Sequence, residues 1–187
     1  MHLFHVNTFL CTFLESNLST KCLLIRPRTD EENYLYITTP KRRAGKICHS
    51  NVGMTGGKQK LFISSQCTHV DLRHELGHTI GLYHEQSRSD RDDYVTIHEN
   101  NIYPGRENNF KKCAKCWHFN MPYGYDSIMH YVKNGFSKSG DPTITPKVQF
   151  TWICDYCWCT NFILIAMRIL QSTRIHWGPI LISIQMT

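Results

Sequence analysis

The chain has 187 residues, 41% of them hydrophobic, enough for one globular domain of ordinary size. Lysine and arginine outnumber aspartate and glutamate 21 to 15, a formal charge of +6, yet the basic residues are dispersed. The densest cluster, Lys41-Arg42-Arg43, follows Pro40 as a solvated loop would, so no nucleic-acid partner is expected. Nine cysteines exceed what a cytosolic protein comfortably carries and point to an oxidising compartment.

Met1 to Leu14 has apolar residues but lacks a basic start and a small-residue cleavage site, so it reads poorly as a signal peptide. Asn17-Leu18-Ser19 has the form of a glycosylation acceptor. Tyr34 to Thr38 and Lys60 to Ser64 cluster β-forming residues and are predicted strands, with Gly53, Gly56 and Gly57 supplying a turn between them. A helix is predicted from about Thr68 to Leu82. Thr68 is placed as its N-cap and Asp71 lies in the first turn, where its charge suits the helix dipole. Leu76, Ile80 and Leu82 are expected to form its buried face.

That helix carries the chemistry. His74 and His78 stand at i and i+4, so both imidazoles leave one face about a turn apart and can meet one cation at roughly 2.0–2.1 Å. A third ligand cannot come from the same straight helix, and Gly81 allows the sharp turn that returns His84 to the metal. Three neutral imidazoles leave an open position for water, which a single zinc ion would acidify. Glu75, beside the first ligand, is placed to take the proton and pass it to a leaving amine. The pattern points to peptide hydrolysis. Histidines on the wet face of an ordinary amphipathic helix would not explain three of them and a glycine at these offsets.

Further along, Cys113-Ala114-Lys115-Cys116 and Cys154-Asp155-Tyr156-Cys157 are two C-x-x-C pairs. They read as disulfides, free thiols or a second, structural zinc site, though their separation is longer than ribbon spacing. Beyond Lys147 the character changes. The apolar run Phe162 to Met167 is interrupted by Arg168 and too short to span a bilayer, so no membrane partner is expected.

The run HELGHTIGLYHEQSRSDR, His74 to Arg91, resembles the astacin family of metzincin zinc endopeptidases; Glu85, Arg88, Asp90 and Arg91 match the extension after the third histidine. Ser127-Ile128-Met129-His130-Tyr131 is similar to the family's Met-turn with its trailing tyrosine. The resemblance implies an α+β, metzincin-like zincin with a mixed twisted sheet and active-site helix in an upper lobe, above a loop-rich lower lobe. It covers about Cys22 to Lys147, so the expected organisation is a partial catalytic domain over 20–147, a non-family or partial segment over 1–19 and a divergent apolar tail over 148–187.

By the same resemblance Met129 forms an apolar floor beneath the ligands, and Tyr131 is a switchable extra ligand that turns to hydrogen-bond the oxyanion. Glu85 is implied to receive the ammonium of a processed N-terminus, with Arg88, Arg91 or water as other partners. Cys48 and Cys67 are implied to form a disulfide, and Cys22 matches a half-cystine whose partner lies near the domain's end. A protein or peptide substrate is implied to bind antiparallel to a sheet edge, with rim segments between Cys48 and Ser65. Secretion follows from the resemblance and the cysteines. No residue pattern specifies an oligomeric state. An inactive, truncated relic or a binding protein that keeps the ligands is the reading the pattern leaves beside the peptidase.

Overall fold

The structure, a computed structural model, describes residues 23–40, 45–114, 116, 121–148 and 180–186. It divides into two compact units. Of the described residues, the first takes those up to Asn51, Thr55–Gln66 and residues 180–186; the second takes Val52–Met54 and the rest from Cys67 onward.

The first unit is a five-stranded mixed sheet. Strands β1 (Leu23–Pro27), β2 (Tyr34–Thr38), β3 (Cys48–His49), β4 (Lys58–Ile63) and β7 (Ile180–Met186) lie in the order β1-β7-β2-β4-β3. The two predicted strands are present, β4 starting two residues early and ending one short. β7 arises from the run ILISIQM, whose β-branched residues favour an extended chain, and enters the sheet parallel to both β1 and β2. Pro27 ends β1 at the sheet edge, where a missing N–H costs least. At the other edge β3 pairs antiparallel with β4. Leu35, Ile37 and Leu61 are buried in this unit. The chain between the predicted strands turns through Gly53, Gly56 and Gly57, all at positive φ, and the Gly57 N–H donates to Asn33 Oδ1 at 2.6 Å.

The second unit begins with helix α1 (His69–Thr79). Thr68 is its N-cap, and a capping box joins the Asp71 N–H to Thr68 Oγ1 (3.3 Å) and the Thr68 N–H to Asp71 Oδ2 (2.7 Å). The helix stops at Thr79, three residues before the predicted end. Gly81, at φ 103°, donates to the His78 carbonyl (2.9 Å), and Leu82 to that of Gly77 (3.0 Å), the paired bonds of a Schellman close. The predicted apolar face is also revised: Leu76, Ile80 and Leu82 are half-buried, while Leu72, Glu75, Gly77 and His78 are buried. Two of the functional side chains, Glu75 and His78, are themselves buried.

Among the described residues of this unit after the helix, regular structure is sparse, as expected of a loop-rich lobe. Four short 3-10 turns and the antiparallel pair β5 (Val95–Ile97) and β6 (Ile144–Pro146) surround a core of Val95, Ile102, Phe110, Tyr123 and Ile144. Among the described residues no helix is long and apolar enough to cross a membrane.

Candidate active site

The His74, His78 and His84 ligand atoms all lie within 4.8 Å of one another. The His74 Nδ1 lies 2.7 Å from the Ile128 carbonyl and the His78 Nδ1 2.8 Å from that of Leu82. A carbonyl only accepts, so each Nδ1 carries the proton and each Nε2 presents a lone pair. The Leu82 carbonyl belongs to the Schellman close, so one turn both ends the helix and fixes the second imidazole.

His84 Nε2 sits 3.2 Å from His74 Nε2. Two ligand nitrogens at about 2.0–2.1 Å from a tetrahedral zinc are separated by about 3.3–3.4 Å. The observed gap is close to that edge, and the three ligand atoms cluster as a metal site requires. Burial depresses the His74 pKa against the pull of the Ile128 carbonyl and Asp71. Burial also depresses His84, to about 3, helped by the neighbouring His78, His74 and His130 rings. His74 and His84 are thus held neutral, the form that binds metal.

Glu75 follows His74 on the helix with its side chain buried. Met129 is fully buried, and a Cβ added to Gly77 would stand 2.7 Å from its Sδ. The thioether therefore lies against bare helix backbone between the first two ligands. The Tyr131 ring stacks obliquely beside His84, centroids 4.6 Å apart, and burial raises its phenol pKa, keeping the proton on.

Three contacts through main-chain groups join the Met-turn segment to the ligand-bearing segment. Besides the Ile128 carbonyl on His74, the Glu85 N–H donates to the Met129 carbonyl (3.0 Å) and the Tyr131 N–H to Gln86 Oε1 (3.2 Å). The Glu85 carboxylate accepts from the Gly124 N–H (2.8 Å) and Arg88 Nη1 (2.9 Å). Burial pushes its pKa up, against the opposing pull of Gly124 and Arg88. Arg88 also holds Asp90 with two bonds and the Met121 and Pro122 carbonyls. Of the partners open to Glu85, Arg88 is the one observed, whereas Arg91 reaches Asp92 and the Gln86 and Phe110 carbonyls.

Cys113 and Cys116 form a disulfide with Cα atoms 5.3 Å apart, which removes these thiols from any zinc site. Among the described residues no other group of three or more His, Cys, Asp or Glu side chains converges as the three histidines do. Cys48 and Cys67 are both disulfide-bonded. Cys22 and the cysteines of the 154–159 stretch lie outside the described residues.

The sequence matches the model of the Astacin peptidase family over residues 6–152. The chain belongs to the astacin family. It is 43% identical over 131 residues to the zinc metalloproteinase nas-14 of Caenorhabditis elegans, covering 67% of this chain and 25% of that protein. It is 40% identical over 132 residues to human meprin A subunit beta, covering 68% and 18%. Astacin-like metalloprotease toxin 5 of Loxosceles gaucho is 41% identical over 129 residues, covering 67% of each. Among solved structures the fold is similar to high choriolytic enzyme 1, a hatching enzyme zinc-protease from Oryzias latipes, with TM-score 0.67 and 30% identity over 85% of this chain and 82% of that one. The chain thus spans a quarter or less of nas-14 and meprin.

Membership accounts for the α+β metzincin architecture and the single three-histidine metal centre of this astacin chain. Sequence reasoning missed Gly77, Gln86 and the Tyr123–His130 pair. Gly77 had a readable signal: a glycine inside a helix costs about 1 kcal/mol against alanine and wants a packing reason. Gln86 and Tyr123 had none, because their roles arise from contacts 45 and 7 residues away.

Proposed function

We propose that this astacin chain is a zinc-dependent endopeptidase acting on extracellular protein or peptide substrates. The observation that carries the proposal is the convergence of three imidazoles with Glu75 buried on the helix that bears two of them. His74, His78 and His84 would hold a zinc ion, whose Lewis acidity would acidify water and stabilise negative charge. The Glu75 carboxylate takes the proton from the attacking water and delivers it to the departing amine nitrogen. The Tyr131 phenol, kept protonated by burial, donates to the oxygen that gains charge at the scissile carbonyl. Met129 supports the site from below, its thioether packed against Gly77 on the ligand-bearing helix without serving as a ligand.

Glu85 acts as a structural anchor, its bonds to Arg88 and Gly124 tying the third-ligand turn to the approach of the Met-turn. The bonded states of Cys48 and Cys67 support their pairing with each other. Disulfides, together with relatives that include a toxin and a hatching enzyme, support an extracellular site of action. The edge position of β3 supports main-chain pairing of substrate with the 48–65 segment.

The test is cleavage of a denatured protein by oxidatively refolded chain, beside Glu75→Ala and a chelated sample. Activity lost in both controls supports the assignment. A folded, zinc-loaded chain with no cleavage overturns it in favour of a binding protein.

A further inference from the structure

Gln86 is fully buried, and its Nε2 has no hydrogen-bond partner among the described residues. Burying a primary amide is costly where its groups are not all satisfied, and a methionine would fill similar volume without that cost. Stability alone does not explain the residue. Its other polar atom, Oε1, accepts the Tyr131 N–H at 3.2 Å. Its carbonyl is in turn held by Arg91 Nη1 at 2.8 Å, so the acceptor stands on a fixed base.

The far side of Tyr131 is held too. His130 Nδ1 donates to the Tyr131 carbonyl at 2.6 Å, and His130 Nε2 accepts the Tyr123 hydroxyl at 2.7 Å. The carbonyl sets the direction of the first bond, and the remaining lone pair sets that of the second. Tyr123 and His130 are both buried, and the Tyr123 ring stacks on Tyr94 at 4.8 Å, 11° from parallel. Tyr131 is therefore gripped at its N–H and its C=O, on both sides of its Cα. Its ring meets His84, Phe110 and Phe136 only through face and edge contacts, and the residue is half-buried.

We infer that Gln86 and the Tyr123–His130 pair are positioning residues that clamp the Tyr131 main chain, so that its hydroxyl moves by side-chain rotation alone along one arc past His84. The inference rests on the oxyanion role given to Tyr131 above. A fixed backbone concentrates the phenol on the trajectory that reaches the developing charge, and a tyrosine displaced by about 1 Å would lose much of that hydrogen bond. Holding the main chain while leaving the ring unbonded separates precision from mobility.

The test uses the full zinc-loaded chain and four variants: Gln86→Met, Tyr123→Phe, Tyr131→Phe and Gln86→Met/Tyr131→Phe. Measured are kcat and KM on a quenched-fluorescence peptide, the affinity of a phosphinic peptide that imitates the tetrahedral species, and zinc per chain. Gln86→Met is expected to lower kcat about tenfold with KM within about twofold, and to weaken the phosphinate by the same factor, with zinc retained. In the Tyr131→Phe background the same substitution is expected to cost less than about twofold, because the hydroxyl it positions is gone. Tyr123→Phe, which keeps the stacked ring, should act in the same direction and carries the test if Gln86→Met does not fold.

A tenfold loss that persists without the Tyr131 hydroxyl, or a loss expressed in KM, overturns the clamp. So does a silent Gln86→Met beside a damaging Tyr131→Phe, which leaves the oxyanion role standing. An unchanged kcat in Tyr131→Phe overturns that role itself and the clamp with it. If the zinc-loaded chain proves inactive, the phosphinate affinities still decide the clamp while the peptidase assignment falls.

Discussion

Replacing Gly77 by alanine sets helix propensity against packing at a position where the two can be compared. Propensity favours alanine by about 1 kcal/mol in a helix interior. Against this, the new Cβ would stand 2.7 Å from Met129 Sδ, 3.5 Å from its Cε and 3.7 Å from Leu82 Cδ1. Carbon and sulfur sit comfortably at about 3.5–4.0 Å, so the thioether must retreat by about 1 Å. Met129 is 0% exposed, and its main chain is tied to the Glu85 N–H. Overpacking of this kind costs about 1–3 kcal/mol, leaving the variant less stable by about 0–2 kcal/mol after the propensity gain. The displaced Met129 main chain adjoins the Ile128 carbonyl that orients His74, so zinc affinity should fall as well. Urea unfolding with and without metal, and zinc competition against a chromophoric chelator, read the two effects. Met129→Ala removes the sulfur, so in that background Gly77→Ala should become stabilising, a coupling of about 1–3 kcal/mol between the two sites. A single Gly77→Ala variant that gains about 1 kcal/mol and keeps its zinc affinity would refute the reasoning, because Met129 would then yield freely.

Gly81→Ala places a Cβ at φ 103° in the Schellman close and is expected to cost about 1–2 kcal/mol and to loosen zinc, measured by thermal unfolding and metal competition; unchanged affinity would show that His84 does not depend on that turn. Arg88→Met strips one partner from the Glu85 carboxylate in a pair whose side chains are only 9% and 13% exposed, and should destabilise by about 3–5 kcal/mol. Adding Glu85→Gln should recover part of that loss in denaturant titration, whereas additive losses would deny the pairing. In metal-free protein His74, His84 and His130 have pKa values held below 6.5 in the folded state, chiefly by burial. The unfolded chain then binds more protons below pH 6.5, so stability is full above that value and falls as the pH drops toward the folded pKa of His84, about 3. The slope is at most about 1.4 kcal/mol per pH unit for each histidine. Glu85, pushed upward by burial, works in the opposite sense nearer its own range, so unfolding is compared between about pH 7.5 and pH 5.5. Stability that is flat or rises on acidification would contradict the assignment.

The relations legible in the chain before folding are local ones. His74 and His78 share a face because four residues make roughly one helical turn, Thr68 and Asp71 close a capping box three residues apart, and Gly81 ends the helix because it alone bears no penalty at φ 103°. Each is settled within about ten residues, so it survives translation from pattern to coordinates. The Met-turn was legible as a motif, though not its reach: Met129 against Gly77, and Gln86 on Tyr131, join segments whose proximity no local periodicity encodes. Tertiary packing likewise inverted the helix face, burying Glu75 and His78 and leaving Leu76 and Ile80 half-covered, because burial follows which neighbours arrive rather than which side chain is apolar. It decided that Arg88 rather than Arg91 meets Glu85, and that the run at 180–186, remote from the catalytic motif, pairs between β1 and β2. Strand pairing and buried hydrogen bonds are long-range matches of donor to acceptor, so they exist only once the chain has brought both halves together.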